Sequence, residues 1–375
     1  MKDPISLTTV KHESESFPPN GSKKRILVAP LNWGLGHATR CIPIIHALIK
    51  FGFEPVIASD GQALSLLEKE FPDLLCLSLP SYKITYATKA SFFKLQIIFQ
   101  LPQIYRAIRA EQQHIKSWIT QYGFSGIISD NRLGVYSSTI PSIFMTHQLR
   151  ILSGSTSWWS TKIHQYFIRK FQECWVPDSE TKENLSGKLG HLDSSSLNLK
   201  YLGALSRFHK KAVVQQYDLM VLLSGPEPQR TLLETKLNTE LKRFEGSILL
   251  VQGIIEKEQR ISTRFNKTVY NYMTSEELEL ALNQSALILC RSGYTTIMDL
   301  AHLGKKAFFI PTPGQYEQEY LARELDRKGL VPHCKQDRFR IEELSRTGSY
   351  QGLKKQNTPI LWKDLFSPFQ SKRKF

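Results

Sequence analysis

The sequence predicts an α/β protein built from two parallel-sheet domains, and three observations carry that expectation. Short apolar runs alternate with longer helical patterns twice along the chain, several runs end in glycine-bearing polar turns that open helices, and 375 residues exceed one comfortable core. In the first half, runs at 26–29, 56–58, 126–129 and 142–145 read as strands, separated by helical patterns at 38–50, 61–70 and 92–119. A second series of runs falls at 218–223, 247–251, 268–272, 286–290 and 306–310, again with helical stretches between them. Residues 1–22 lack a periodic apolar face and read as a disordered tail. The first domain is expected over 23–205 and the second over 206–350, which leaves an aromatic segment at 351–375.

Composition narrows the function classes. The formal charge of +15 points to anionic partners, and no zinc-finger or aromatic RNA-binding signature accompanies it, so phosphorylated ligands or acidic lipid are expected rather than nucleic acid. Five scattered cysteines with no CxxC spacing exclude a disulfide framework and a zinc site, and read as small core residues in a reducing compartment. No apolar run reaches the roughly 20 residues that span a bilayer, and the N-terminus has no apolar targeting core, so a cytoplasmic protein is expected.

The most informative stretch is Leu289-Cys290-Arg291-Ser292-Gly293-Tyr294-Thr295-Thr296-Ile297-Met298-Asp299, a buried strand, a tight polar turn and a helix opening. The first amides of such a helix have no intrahelical acceptor and bind anions; Gly293 permits a positive φ or a close ligand, and Arg291 and Ser292 can add donors. Asp299, four residues after Thr295, shares its helix face and could accept from a ribose diol.

Arg291-Ser292-Gly293, Thr296, Asp299-Leu300-Ala301, Gly304, Pro311 and Gln318 together resemble the C-terminal signature of glycosyltransferase family 28, of the MurG type. That resemblance implies a GT-B architecture, in which two Rossmann-like parallel-sheet domains face each other across a cleft and a C-terminal segment crosses back toward the first domain. It also implies an inverting, metal-independent transfer, with no cofactor, from a UDP-sugar, UDP-GlcNAc first among them, to a lipid-linked acceptor.

The turn after the first strand, Pro30 to Arg40, matches the family through Gly34, Gly36 and His37, while Asn32-Trp33 departs from it. Read instead as a dinucleotide fingerprint, its third glycine is replaced by Thr39. An inverting transfer needs a base for the acceptor proton. His37 and Asp130, the latter at the end of a strand, are the candidates, and His147 is a further polar group at a strand end facing the acceptor. On the donor side the resemblance implies diphosphate contacts from Ser224-Gly225, Arg230 and the junction residue Arg207, although Pro226 and Pro228 remove two amides of the usual loop. It implies sugar contacts from Gln318 and Glu319, where the family carries a Gln pair, and a ribose contact from Asp299, where it carries Glu. Both replacements leave other UDP-hexoses open.

Residues 82–109 interleave Tyr82, Tyr86, Phe92, Phe93 and Phe99 with Lys83, Lys89, Lys94, Arg106 and Arg109, a composition that rests on an anionic membrane surface or forms an amphipathic helix with a solvated basic face. Three other functions fit parts of the pattern: a nonhydrolysing UDP-sugar 2-epimerase, a non-catalytic nucleotide-sugar or lipid-binding protein, and an NAD-dependent oxidoreductase using Asp60 for the ribose.

Overall fold

A computed structural model describes residues 23–82, 93–152, 156–254, 256–354 and 360–370. The apolar runs form two sheets. The first lobe runs β1 (Arg25–Pro30), α1 (Leu35–Lys50), β2 (Glu54–Ser59), α2 (Gly61–Glu70), β3 (Cys76–Ser78), α3 (Phe93–Tyr122), β4 (Phe124–Asp130), β5 (Ser142–Met145), α4 (Ser157–Ile168), β6 (Glu173–Val176) and β7 (Leu199–Tyr201). Its seven strands lie in the order β3-β2-β1-β4-β5-β6-β7, all parallel. The second lobe runs β8 (Tyr217–Leu222), α5 (Gln229–Glu240), β9 (Ile248–Val251), β10 (Ile261–Arg264), β11 (Lys267–Tyr270), α6 (Ser275–Gln284), β12 (Ser285–Cys290), α7 (Tyr294–Leu303), β13 (Lys306–Phe309) and α8 (Tyr316–Arg327). Its order is β10-β11-β9-β8-β12-β13, parallel except for the β10–β11 hairpin.

The central strands are apolar because helices cover both of their faces. Ile26, Leu27, Val28 and Ala29 of β1 are fully buried, as are Leu219, Met220 and Val221 of β8. The strands that pattern reading passed over are β3, β6, β7 and β10, none longer than four residues. Every residue of β10 is exposed, so hairpin pairing rather than burial holds it in the sheet.

One contiguous apolar cluster joins the lobes, running from Ile42 and Ile45 of α1 to Ile297 and Met298 of α7. Two short helices, α9 (Trp362–Leu365) and α10 (Ser367–Gln370), then sit against the first lobe. The Phe366 ring lies 5.7 Å from Phe53 and 6.4 Å from Trp175, and Lys24 Nζ donates to the Phe369 carbonyl at 2.9 Å. Gly126 of β4 leaves the room that the Phe369 ring occupies; a Cβ there would collide with it.

Among the described residues no helix is long and apolar enough to cross a membrane. Of the aromatic and basic stretch at 82–109, residues 83–92 and the side chains of 93–101 lie outside the described residues, as does the expected tail at 1–22. Tyr82 is buried and donates to Glu111 Oε2 at 2.8 Å, a core role that removes it from any membrane surface. Arg106 and Arg109 are exposed.

Candidate active site

In open parallel sheets a ligand crevice forms at the carboxyl ends of the two strands where the chain order reverses. Those strands are β1 and β4 in the first lobe and β8 and β12 in the second. The four segments leaving them, the 31–36 turn, Asp130, Ser224-Gly225 and Arg291-Ser292-Gly293, are the ones the sequence singles out.

The first-lobe turn ends at Gly34, whose φ of 82° suits glycine, and α1 starts there without a side-chain cap or an acidic residue in its first turn. The Gly36 carbonyl accepts from Thr295 Oγ1 at 3.1 Å, and a Cβ on Gly36 would stand 2.8 Å from that oxygen. Glycine is therefore what allows the start of α1 to touch the start of α7. One residue later, His37 Nδ1 lies 3.1 Å from Asp130 Oδ1 and 2.8 Å from Arg40 Nη2. Arg40, one helical turn on and buried, donates through Nε to Asp130 Oδ2 at 2.6 Å and pairs again through Nη2 with Oδ1. Burial pushes the His37 imidazole below its ordinary value against the pull of Asp130, with Arg40 adding to the fall. Burial acts upward on Asp130, but Arg40 and His37 outweigh it and hold that carboxylate down at about 2. Asp130 is fully buried and doubly engaged, so the expectation that it could itself take a proton fails; it holds His37 and Arg40 in place.

In the second lobe, α7 starts at Gly293, whose φ of −70° needs no glycine, so of the two uses the sequence allows, positive φ or close ligand approach, the first does not apply. What the missing side chain provides is space, since a Cβ there would meet only Thr296 Oγ1, at 3.9 Å. The amides of this first turn have no side-chain cap and no acidic neighbour, in contrast to α6, which carries a full Thr274/Glu277 capping box. Gly293, Thr295, Thr296 and Asp299 are half-buried, and Ser224 and Gly225 are exposed beside them.

Several expected donor contacts are spent within the lobe. Arg291 sends Nη1 to the carbonyls of Ile310 and Pro311, both at 3.1 Å, and Nη2 to the Gln229 carbonyl at 2.9 Å and Gln336 Oε1 at 2.7 Å. Burial lowers its pKa to about 10, which leaves it charged at neutral pH. Ser292 Oγ donates to the Gln318 carbonyl, Gln318 Oε1 accepts from the Thr312 amide, and Glu319 Oε1 accepts from the Gly314 amide. Arg230 is held by Glu227 and Glu234 at 2.6 and 2.8 Å. These five side chains brace the loops around the crevice instead of reaching into it. Arg207 lies at the lobe junction, donating to Ser275 Oγ at 2.9 Å, while Ser275 donates to Glu70 Oε2 of the first lobe. Asp299 accepts from Ser206 Oγ at 2.7 Å, and burial raises its pKa to about 6 against the attraction of Arg207.

His147 does reach across, and its partners were not singled out in the sequence. Its Nδ1 stands 3.0 Å from Arg40 Nη1, its Nε2 stands 2.8 Å from Glu317 Oε1 of α8, and its ring stacks at 4.2 Å on Tyr294, the first residue of α7. Arg40 can only donate, so Nδ1 accepts and Nε2 donates to Glu317. Gln148 Nε2 holds the other Glu317 oxygen, and Tyr294 Oη donates to the Pro177 carbonyl at 2.9 Å. Arg40, Tyr294 and Glu317 each lie within three residues of a residue the motifs named, but contacts made across lobes leave no local spacing to read. Asp60, the carboxylate of the oxidoreductase alternative, is paired with Arg132 and accepts from Asn32 at 3.2 Å, so it serves the fold of the first lobe. No group of three or more His, Cys, Asp or Glu suited to holding a metal ion occurs among the described residues.

Residues 229–359 match the glycosyltransferase family 28 C-terminal domain. Over 260 residues, 68% of each chain, the sequence is 24% identical to the UDP-N-acetylglucosamine–N-acetylmuramyl-(pentapeptide) pyrophosphoryl-undecaprenol N-acetylglucosamine transferase of Haemophilus ducreyi. Among solved structures, MurG of Acinetobacter baumannii superposes with a TM-score of 0.56 at 14% identity, covering 92% of this chain and 99% of that one. The glycosyltransferase of kitacinnamycin superposes with a TM-score of 0.59 at 12% identity, covering 86% and 89%.

Proposed function

We propose that the chain is a MurG-like glycosyltransferase, a reading supported by the match of residues 229–359 to the family 28 C-terminal domain and by the 24% identical relative, and that it moves a hexose, N-acetylglucosamine first among the candidates, from a UDP-sugar to a lipid-linked acceptor with inversion. The observation that carries this reading is the His37–Asp130 pair of the first lobe, standing beside the uncapped start of α7 in the second. His37 Nδ1 faces both Arg40 Nη2, a donor, and Asp130 Oδ1, an acceptor; base catalysis uses the tautomer in which Nδ1–H donates to Asp130 while Arg40 Nη2 donates to Asp130 Oδ1 alone, and it frees the Nε2 lone pair for the acceptor. That nitrogen takes the acceptor hydroxyl proton as the sugar carbon is attacked. The departing diphosphate gathers charge, which the α7 amides with the hydroxyl of Thr296 stabilise, so transfer needs no metal. Asp299 accepts from the ribose diol on the same helix face. Lipid-linked acceptors place the work at a membrane surface.

Labelled UDP-GlcNAc incubated with and without a polyprenyl-diphosphate-linked saccharide tests the reading. Label should pass to the acceptor with inverted anomeric configuration, at an unchanged rate in EDTA. Formation of a 2-epimer without acceptor, or saturable UDP binding with no turnover on any acceptor, would replace it.

A further inference from the structure

The His37–Asp130 pair is one end of a directed chain of hydrogen bonds that begins in the second lobe. His147 Nε2 and Gln148 Nε2 both donate to Glu317, in the first turn of α8, the former at 2.8 Å. His147 Nδ1 accepts from Arg40 Nη1 at 3.0 Å, and Arg40 sends Nε and Nη2 to the two oxygens of Asp130, which accepts in turn from His37 Nδ1. Arginine can only donate, so every link has its donor and acceptor when His147 is neutral with its proton on Nε2. The Tyr294 ring, within 6° of parallel to His147, keeps the imidazole in that plane. Glu317 owes its place to the contact between lobes. Glu317, Tyr320, Glu324 and Lys328 recur at steps of three and four, so they share one stripe that faces the first lobe. Tyr320 Oη accepts from the Lys188 amide at 2.7 Å, Lys328 Nζ donates to the Asn184 carbonyl at 2.9 Å, and a Cβ on Gly187 would collide with Tyr320 and crowd Glu324. Burial acts upward on the Glu317 carboxyl, but His147, then His37 and Arg40, outweigh it and hold the group below its ordinary value, so it meets His147 as an anion.

We propose that Glu317 is a positioning residue for His37: it fixes the His147 tautomer that lets Arg40 hold Asp130, so the base is set for proton transfer only while α8 rests on the first lobe. Without Glu317 nothing keeps the His147 proton on Nε2. With that proton on Nδ1, two donors would face each other, and Arg40 would have to turn from its two-pronged hold on Asp130. His37 then loses its orientation although no group that touches it has been removed. The competing assignment makes Glu317 a ligand of the donor sugar, as a neighbour of Gln318. Both of its oxygens are instead engaged by the first lobe. The proposal rests on the reading of His37 as the base.

Two readouts test it. With UDP-GlcNAc and a polyprenyl-diphosphate-linked saccharide, Glu317→Ala should lower kcat roughly tenfold or more and leave KM for the UDP-sugar within about twofold, whereas in a His37→Ala background the same change should cost no more than about twofold. His147→Phe, which keeps a ring against Tyr294, should reproduce the loss and the non-additivity. Nitrogen NMR of the ligand-free, histidine-labelled protein reads the ring tautomers without any transfer reaction, so the relay holds or fails apart from the transferase reading. Wild-type His147 should carry its proton on Nε2, and Glu317→Ala should move the ring signals of both His147 and His37. Several outcomes overturn the proposal: a wild-type His147 protonated on Nδ1, His37 signals unmoved in Glu317→Ala, wild-type kcat in that variant, an equal loss with and without His37, or a raised KM at unchanged kcat, which would make Glu317 a sugar ligand.

Discussion

His37 and Asp299 show how burial sets opposite tasks for single residues. A histidine held below its ordinary value is unprotonated at neutral pH and ready to accept a proton. His37→Ala should lower kcat by about 100-fold to 10,000-fold and leave UDP affinity unchanged. The wild-type rate should be flat near neutrality and fall on an acid limb below pH 6.5, a limb that His37→Ala lacks. Asp299 carries the reverse shift, from 3.8 to about 6. The folded protein binds this proton more tightly than the unfolded chain, so stability falls as pH rises from 3.8 to about 6 and stays lower above that. Asp299→Asn, which still accepts from Ser206, should therefore stabilise the ligand-free protein by on the order of 2 kcal/mol above pH 6, with little effect below pH 4; urea unfolding at both ends checks this. At this scale the sequence supplied residue types but not directions. Gly36, His37 and Thr295 lie in strand-to-helix turns, a placement that local pattern can give. Arg291, Ser292, Gln318 and Arg230 carry the motif chemistry, yet their donors and acceptors go to nearby carbonyls, amides and carboxylates, which spacing alone cannot foretell.

Among the elements, long apolar strands and amphipathic helices were readable because burial on two faces or one dictates their pattern. Short strands such as β6 and β7 were not, since three or four residues carry too little period to stand out. The closing helices α9 and α10 show how much a brief element can contribute when it brings aromatics to a prepared surface. Phe366 is fully buried among Phe51, Phe53, Trp175 and Trp362. Phe366→Ala leaves a cavity in that cluster and should cost about 3–5 kcal/mol, measured by urea denaturation monitored through tryptophan fluorescence. A loss below about 1 kcal/mol would mean that these helices are not held by that packing.

Across the whole molecule, the two lobes meet through α1, α7, α8 and the His147 loop, while the start of α7 stays partly open. Within the Arg291–Asp299 corner Arg291, Ser292, Tyr294, Ile297 and Met298 are buried, while Gly293, Thr295, Thr296 and Asp299 are half-buried. On the proposed function a nucleoside diphosphate settles between the lobes beside Gly293 and Thr296. A ligand that binds only the folded protein adds about 2.7 kcal/mol at 100 times its Kd, so thermal unfolding with UDP and with NAD, ligand by ligand, is the most direct measurement. UDP should raise Tm in a concentration-dependent way and NAD should leave it unchanged. A rise with NAD and none with UDP would contradict the account.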